Sequence, residues 1–168
     1  MTRKKVAVAV AFIGVLVIAV NVLPSAAQQP PPPPIAVELL TPRSVFTDDI
    51  RVMFKLMHHR GTTHVVNVPD PSRTVAGRWT VQPGAKFPWH THAGPVVVNI
   101  VAGALTYQPA ETCKAQTYSA GEAFVDPGQG HVHTAWNPTN APTVFVATLF
   151  DVPPAPEPLL IPAPAGNC

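Results

Sequence analysis

The stretch that decides the fold reads Gly84-Ala85-Lys86-Phe87-Pro88-Trp89-His90-Thr91-His92. His90 and His92 are two residues apart, and on a β-strand that spacing directs both rings to the same face. Imidazole is the most common metal-binding side chain in proteins, so such a pair provides half of a small metal site. We therefore expect the other half elsewhere in the chain.

A second pair with the same spacing occurs about forty residues later, in the segment Gly130-His131-Val132-His133. If this segment is also extended, both of its rings share a face. The sequence predicts a fold that brings the two pairs together around one metal ion.

Short apolar runs separated by turn residues surround the two pairs. Residues 50–57 alternate, with Ile50, Val52, Phe54 and Leu56 on one side, as expected for a half-buried strand. Further runs with strand character cover residues 63–68, 74–82, 96–101, 104–108, 117–120 and 143–151. Because no stretch after residue 27 has a convincing helical pattern, the sequence predicts an all-β sandwich or barrel.

The first 27 residues have the features of a secretory signal peptide. Three basic residues precede an uncharged run over residues 6–20, and Ser25-Ala26-Ala27 offers the small residues of a cleavage site. We expect cleavage after Ala27 and export to the periplasm, the cell envelope or the outside. The alternative is an uncleaved N-terminal membrane anchor, because the apolar run is long for a signal and short for a span.

Proline-rich segments flank the predicted barrel. Residues 28–43 include five consecutive prolines and are predicted to form a linker, and residues 44–152 to form one domain. Residues 153–168 contain six more prolines and are expected to lie extended on the surface as a tail.

Charge excludes a nucleic-acid surface. Three of the eleven Lys and Arg residues precede residue 28 while all nine acids follow it, which leaves eight bases against nine acids and a net charge of −1. The exported chain therefore has no basic excess to bind phosphates.

Two cysteines, Cys113 and Cys168, remain after export. An even number of cysteines in an exported chain indicates a disulfide, here one that attaches the last residue to a loop. A thiol ligand or nucleophile would need a reducing or activated setting that the sequence does not show.

The two histidine segments resemble the motifs of the cupin superfamily. Members of this superfamily are small jelly-roll β-barrels. The first cupin motif is G-x5-H-x-H-x(3,4)-E-x6-G. Its spacings are all matched by Gly84, His90, His92, Val96 and Gly103. The departure is at Val96, which stands where the family has a glutamate ligand.

The second cupin motif, G-x5-P-x-G-x2-H-x3-N, fits Gly121, Pro127, His133 and Asn137. Here the segment between Pro127 and His133 is one residue longer than in the family pattern. The resemblance implies a cupin-like jelly-roll barrel for residues 44–152. It is specific for the fold and weak for the function.

The resemblance implies three metal ligands, His90, His92 and His133. Valine cannot coordinate a metal, so two arrangements remain open. The three histidines form an open site with places for water, dioxygen or substrate, or His131 joins as a fourth ligand in a closed site. The extra residue before His133 is also compatible with a bulge that directs His131 elsewhere. We expect the metal to be a divalent ion of Fe, Mn, Cu or Zn, and the sequence does not distinguish between them.

Two functions are compatible with this site. The resemblance implies either a metal-dependent oxygenase or related oxidoreductase acting on a small organic molecule, or a non-catalytic module that holds a small ligand or a structural metal. No catalytic residue can be assigned. A homodimer stays open because cupins often dimerise, and a membrane contact is expected only through an uncleaved signal segment.

Overall fold

The computed structural model describes residues 31–57 and 63–168, which form an all-β fold. Within these residues, no helix has the length and apolar character needed to cross a membrane. The predicted signal peptide, residues 1–27, lies outside the described residues.

Thirteen strands follow one another along the chain. They are β1 Ile35–Leu39, β2 Ser44–Val45, β3 Val52–Met57, β4 Thr63–Val68, β5 Arg73–Val81, β6 His90–Thr91, β7 Val96–Ala102, β8 Ala104–Pro109, β9 Gln116–Ser119, β10 Ala123–Asp126, β11 His133–Trp136, β12 Thr143–Phe150 and β13 Ile161–Pro162. Short strands separated by turns are the pattern that the sequence predicted.

Two antiparallel sheets form the jelly roll. The larger has the order β1-β5-β12-β7-β10, with β2 pairing with β5, and the smaller has the order β13-β6-β11-β8-β9. Strands β3 and β4 form a separate hairpin. Strands β6 and β11, which carry His90 and His133, are neighbours in the smaller sheet, where β6 lies between β13 and β11.

The core lies between the two sheets. Alternate residues of β5 and β12 face inward, and Trp79 stacks on Phe145 with ring centroids 5.5 Å apart. Val98 of the larger sheet and Leu105 of the smaller one belong to the same buried cluster. The inward-facing set is the one that strand alternation predicts.

The predicted linker is too long at its C-terminal end. Ile35–Leu39, which we assigned to the proline-rich linker of residues 28–43, forms β1 at the edge of the larger sheet, in register with Val81 to Gly77 of β5. An edge strand needs hydrogen bonds to one neighbour only, so its side chains need no clear apolar alternation. Val37 is 57% exposed, which explains why no pattern marked the strand.

The disulfide between Cys113 and Cys168 is confirmed, with the two Cα atoms 5.4 Å apart. It joins the loop after β8 to the last residue of the chain. A disulfide is consistent with a periplasmic or extracellular location, because these compartments are oxidising.

A close contact between two loops sets the distance between the histidine segments. Gly128 has φ of +60°, and a Cβ atom on it would overlap the carbonyl of Gly94. The backbone N–H of Gln129 also donates to the carbonyl of His92 over 2.9 Å. Glycine is therefore needed at position 128 for the loop before β11 to pack against the loop that follows β6.

Candidate metal centre

Three of the four predicted ligands come together inside the barrel. His90 opens β6, His92 follows that strand, and His133 opens β11, paired in register with His90. Each offers a nitrogen, and these nitrogens all lie within 4.8 Å of one another. The three residues are buried, with relative exposures of 4%, 9% and 4%. We call His90, His92 and His133 the histidine group.

Backbone carbonyls orient two of these rings. Nδ1 of His90 lies 2.7 Å from the carbonyl oxygen of Pro88, and Nδ1 of His92 lies 2.8 Å from that of Leu159. A carbonyl oxygen only accepts, so in each ring Nδ1 carries the hydrogen. This leaves the lone pair on Nε2, which is the form of histidine that binds a metal ion.

The rings of His90 and His92 are held neutral by their surroundings. Burial, with the nearby His133, lowers the pKa of His90 from 6.5 to about 4, although the hydrogen bond to Pro88 opposes this. Burial also lowers the pKa of His92, against the opposing charge of Asp126. Metal binding requires neutral imidazole, so these shifts keep the ligands ready at neutral pH.

A buried carboxylate lies beside the histidine group. Oδ1 of Asp126 accepts the backbone N–H of Gly128 at 2.9 Å, while Oδ2 accepts no well-directed hydrogen bond. Oδ2 lies 3.0 Å from Nδ1 of His133 and 3.7 Å from Nε2 of His92. A buried anionic oxygen without a donor is costly unless a positive charge is close. Three imidazoles and this oxygen therefore fit a transition-metal cation.

The histidine group forms one wall of a cavity inside the barrel. The cavity encloses about 480 Å³ not filled by protein atoms, and part of this space opens to solvent. Apart from the histidines, Asp126 and Tyr107, its lining is apolar and includes Phe87, Val98, Leu105, Phe124 and Leu160. A ligand in this space would be surrounded mainly by apolar surface, with polar groups at the histidine end.

His131 lies apart from the histidine group. Its Nδ1 is 2.9 Å from Oε1 of Glu111, and its ring packs edge-on to His64 with centroids 4.2 Å apart. Strand β11 begins only at His133, so the rule that places residues i and i+2 on one face does not apply to His131. The structure thus places the fourth predicted ligand beside Glu111, nearer the surface.

The extra residue of the second motif explains this placement. Gly128, Gln129 and Gly130 all have positive φ, at 60°, 51° and 90°. The resulting turn directs the N–H of Gly130 to the hydroxyl of Thr91. The loop therefore bends back onto the first histidine segment before β11 begins, and His131 turns outward.

The C-terminal segment, residues 153–168, lies against the histidine group. Strand β13 pairs with β6, placing Ile161 opposite Thr91 and Pro162 opposite His90. The carbonyl of Leu159 accepts from His92, and Leu160 lines the cavity. Most residues of the segment are exposed, as expected for a surface tail, but Leu159 and Leu160 are partly buried against the core.

Both ends of this segment are fastened to the barrel. The guanidinium of Arg43 donates to the carbonyl of Pro153 at 2.7 Å and to that of Glu157 at 2.6 Å. At the other end, Cys168 is joined to Cys113. The segment is therefore a built part of the site.

Comparison with known proteins agrees with this geometry. Residues 77–149, which include the whole histidine group, match the family model described as Cupin domain. Residues 77–149 form a cupin domain. No curated protein matches it significantly.

Solved structures with the cupin fold are similar to this one. The polyketide cyclase RemF from Streptomyces resistomycificus has 17% identity and a TM-score of 0.46 over 56% of this chain and 63% of its own, so this cupin matches less than two thirds of it. KdgF from Halomonas sp. has 17% identity and a TM-score of 0.46 over 73% and 85%. A cupin-2 domain protein from Shewanella frigidimarina has 22% identity and a TM-score of 0.40 over 46% and 70%. At these values the comparisons carry no inference about function.

Sequence reasoning missed two parts of this cupin site. Asp126 precedes Pro127 within the second motif, and its inward position follows from its pairing with Val96. The strand spacing of residues 123–126 contained that signal. The role of Leu159 could not be predicted from the sequence. The group that contacts His92 is its backbone carbonyl, which every residue has.

Removal of residues 158–168 is expected to weaken metal binding by about 10- to 100-fold, which is typical for loss of a partner that orients a ligand. The deletion removes the acceptor for Nδ1 of His92 and the strand that covers β6. Titration of the purified protein with Co²⁺, read by visible absorption, measures the change.

The matched control separates the segment from its disulfide. The deletion is made together with Cys113→Ser and compared with the full-length Cys113→Ser/Cys168→Ser variant, so that neither protein has a disulfide. The full-length variant should keep most of its affinity, because β13 still pairs with β6. Equal affinities in the two proteins would show that the segment does not orient His92.

Proposed function

We propose that this protein is an exported cupin that binds a divalent transition-metal ion through His90, His92 and His133 and presents it to a small organic molecule in the barrel. The observation that carries the proposal is the convergence of three buried imidazole nitrogens within 4.8 Å. One buried histidine is commonly a core residue with satisfied hydrogen bonds, but three with converging nitrogens need a shared partner. Imidazole donors suit iron, copper and zinc, and the family extends this set to manganese.

The residues of this chain would each contribute in a definite way. The histidine group would hold the ion, while the carbonyls of Pro88 and Leu159 keep Nε2 of His90 and His92 unprotonated. The apolar wall would exclude water and select a molecule with an apolar or aromatic body and one polar group at the histidine end. A bound ion would supply Lewis-acid chemistry or, if it is redox-active, oxidation of the molecule beside it.

We infer an oxidoreductase or oxygenase reaction as the finer form of this function. A second candidate is a non-catalytic cupin that stores or carries its ligand or uses the metal structurally. One observation favours this second candidate: Asp126 is the only carboxylate among the described residues that line the cavity, and its free oxygen points to histidines. No described carboxylate is directed at the apolar part of the cavity to act as a general base.

The experiment is metal analysis of the mature protein after stripping with chelator and reloading with Fe²⁺, Mn²⁺, Cu²⁺ or Zn²⁺ in turn. We expect about one ion per chain for at least one of these. Mg²⁺ and Ca²⁺ serve as controls and should not be retained, because they prefer oxygen ligands. A protein that retains no transition metal under any loading would overturn the proposal.

Oxygen consumption then separates the two candidates. The loaded protein is assayed with a panel of small phenols and thiols, and the chelator-stripped protein serves as the blank. Metal-dependent oxygen uptake would support the oxygenase. Stoichiometric metal without uptake, with a four-coordinate Co²⁺ spectrum, would favour the non-catalytic module.

A further inference from the structure

The position of Asp126 relative to Val96 suggests where the missing carboxylate of this cupin has gone. Strands β10 and β7 pair so that Asp126 lies directly opposite Val96, and both side chains are buried. Opposite residues on antiparallel strands have Cβ atoms about 4.5–5.5 Å apart. A carboxylate at 126 thus starts beside the position from which the glutamate of the cupin motif reaches its ion.

We propose that Asp126 supplies, from the neighbouring strand, the negative charge that Val96 cannot, and so completes the metal site with the histidine group. This inference rests on the proposed function, since it concerns the same ion. It adds to the site a residue that the cupin motifs do not assign.

The contacts of the two carboxylate oxygens differ in the way such a role requires. Oδ1 is fixed by the backbone N–H of Gly128 at 2.9 Å, which limits rotation of the side chain. Oδ2 accepts no well-directed hydrogen bond and lies 3.7 Å from Nε2 of His92, the atom that carries the lone pair. It also lies 3.0 Å from Nδ1 of His133. The free oxygen is therefore aimed at the region that the ion would share with two of the three histidines.

Charge balance gives the reason for a carboxylate here. Three neutral imidazoles around a dication would leave two positive charges in a buried site, and a buried charge without a partner is costly. Asp126 cancels one of them. Conversely, a buried aspartate beside neutral histidines needs a cation.

The test moves the charge between the two strands. Asp126→Asn keeps the size of the side chain and the acceptor for Gly128 but removes the charge. Asp126→Glu keeps the charge, and Val96→Glu/Asp126→Asn returns it to the position of the cupin motif. Glu111→Gln is the matched control, because it removes a carboxylate that contacts His131 outside the histidine group. Dissociation constants for Co²⁺ are measured by competition, with the visible spectrum as a second readout.

We expect Asp126→Asn to bind Co²⁺ about 10- to 100-fold more weakly than the unaltered protein. Glu111→Gln should bind like the unaltered protein. At least one of the two charge-bearing variants, Asp126→Glu or Val96→Glu/Asp126→Asn, should recover tenfold or more, because the site then again contains a carboxylate. The Co²⁺ absorption bands should shift with loss of the charge and return with its recovery.

Two results would overturn the inference while leaving the proposed function standing. One is unchanged affinity in Asp126→Asn. The other is weakened binding that neither charge-bearing variant restores, which would make Asp126 a purely structural residue; metal-free circular dichroism and thermal unfolding then identify the damaged fold. Failure of the unaltered protein and of Glu111→Gln to bind any Co²⁺ would refute the proposed function, and this inference with it.

Discussion

Replacement of His133 by alanine is expected to weaken metal binding about 1000-fold or more, which corresponds to ~4 kcal/mol. His133 is the member of the histidine group that comes from the second motif. Its ring centroid lies 4.2 Å from that of His90 and 5.4 Å from that of His92. Without it, only the two imidazoles of one short segment would remain as nitrogen ligands, and two imidazoles hold an ion far more weakly than three. Isothermal titration with Zn²⁺ or Co²⁺ measures the loss.

His131→Ala is the matched control for this variant. It removes the same chemical group two residues away, at a position where the ring contacts Glu111 and His64. We expect its affinity to stay within a few-fold of the unaltered protein. Equal losses in the two variants would mean that His131 joins the ion after all, as in the closed four-histidine arrangement. A full complement of metal in His133→Ala would refute the site.

The cupin motifs allowed the histidine group to be predicted because their spacing is fixed by the barrel. His90 and His133 are paired residues of β6 and β11, so any chain that keeps these strands and turns brings the two positions together. The same reasoning does not extend to His131, because residues 128–130 have left-handed backbone conformations and β11 begins only at His133. Side-chain spacing predicts a common face only where the strand itself is continuous.

The parts of the site that the sequence did not reveal depend on contacts between distant segments. The carbonyl of Leu159 orients His92 across 67 residues of chain. Asp126 became interpretable only when its partner on β7 was known to be Val96. Strand β1 and the C-terminal segment were likewise hidden, since proline-rich stretches with few apolar residues give no periodic signal. In each case the stabilising partner, and not the local pattern, decides the conformation.

The metal-free protein is expected to lose stability as the pH falls from 6.5 towards 4. The pKa of His90 is lowered to about 4 in the folded protein, against 6.5 for an ordinary histidine. Between these values the unfolded chain binds a proton that the folded chain does not, so the free energy of unfolding rises with pH across this window. The contribution of neutral His90 to the free energy of unfolding is therefore fully present above pH 6.5 and is lost on acidification. It amounts to roughly 3 kcal/mol for His90, and the lowered pKa of His92 acts in the same direction.

Urea unfolding in the presence of EDTA, at several pH values between 7.5 and 4.5, measures this loss. The pKa of Asp126 is lowered from 3.8, so its own contribution disappears only below the window and does not obscure that of the histidines. His90→Asn removes one titrating ring and should reduce the slope of stability against pH, whereas His131→Ala should keep it. If His90→Asn and the unaltered protein showed the same slope, burial would not be holding His90 neutral. The site would then release its ion near pH 6.5, as an exposed histidine site does, instead of retaining it into more acidic conditions.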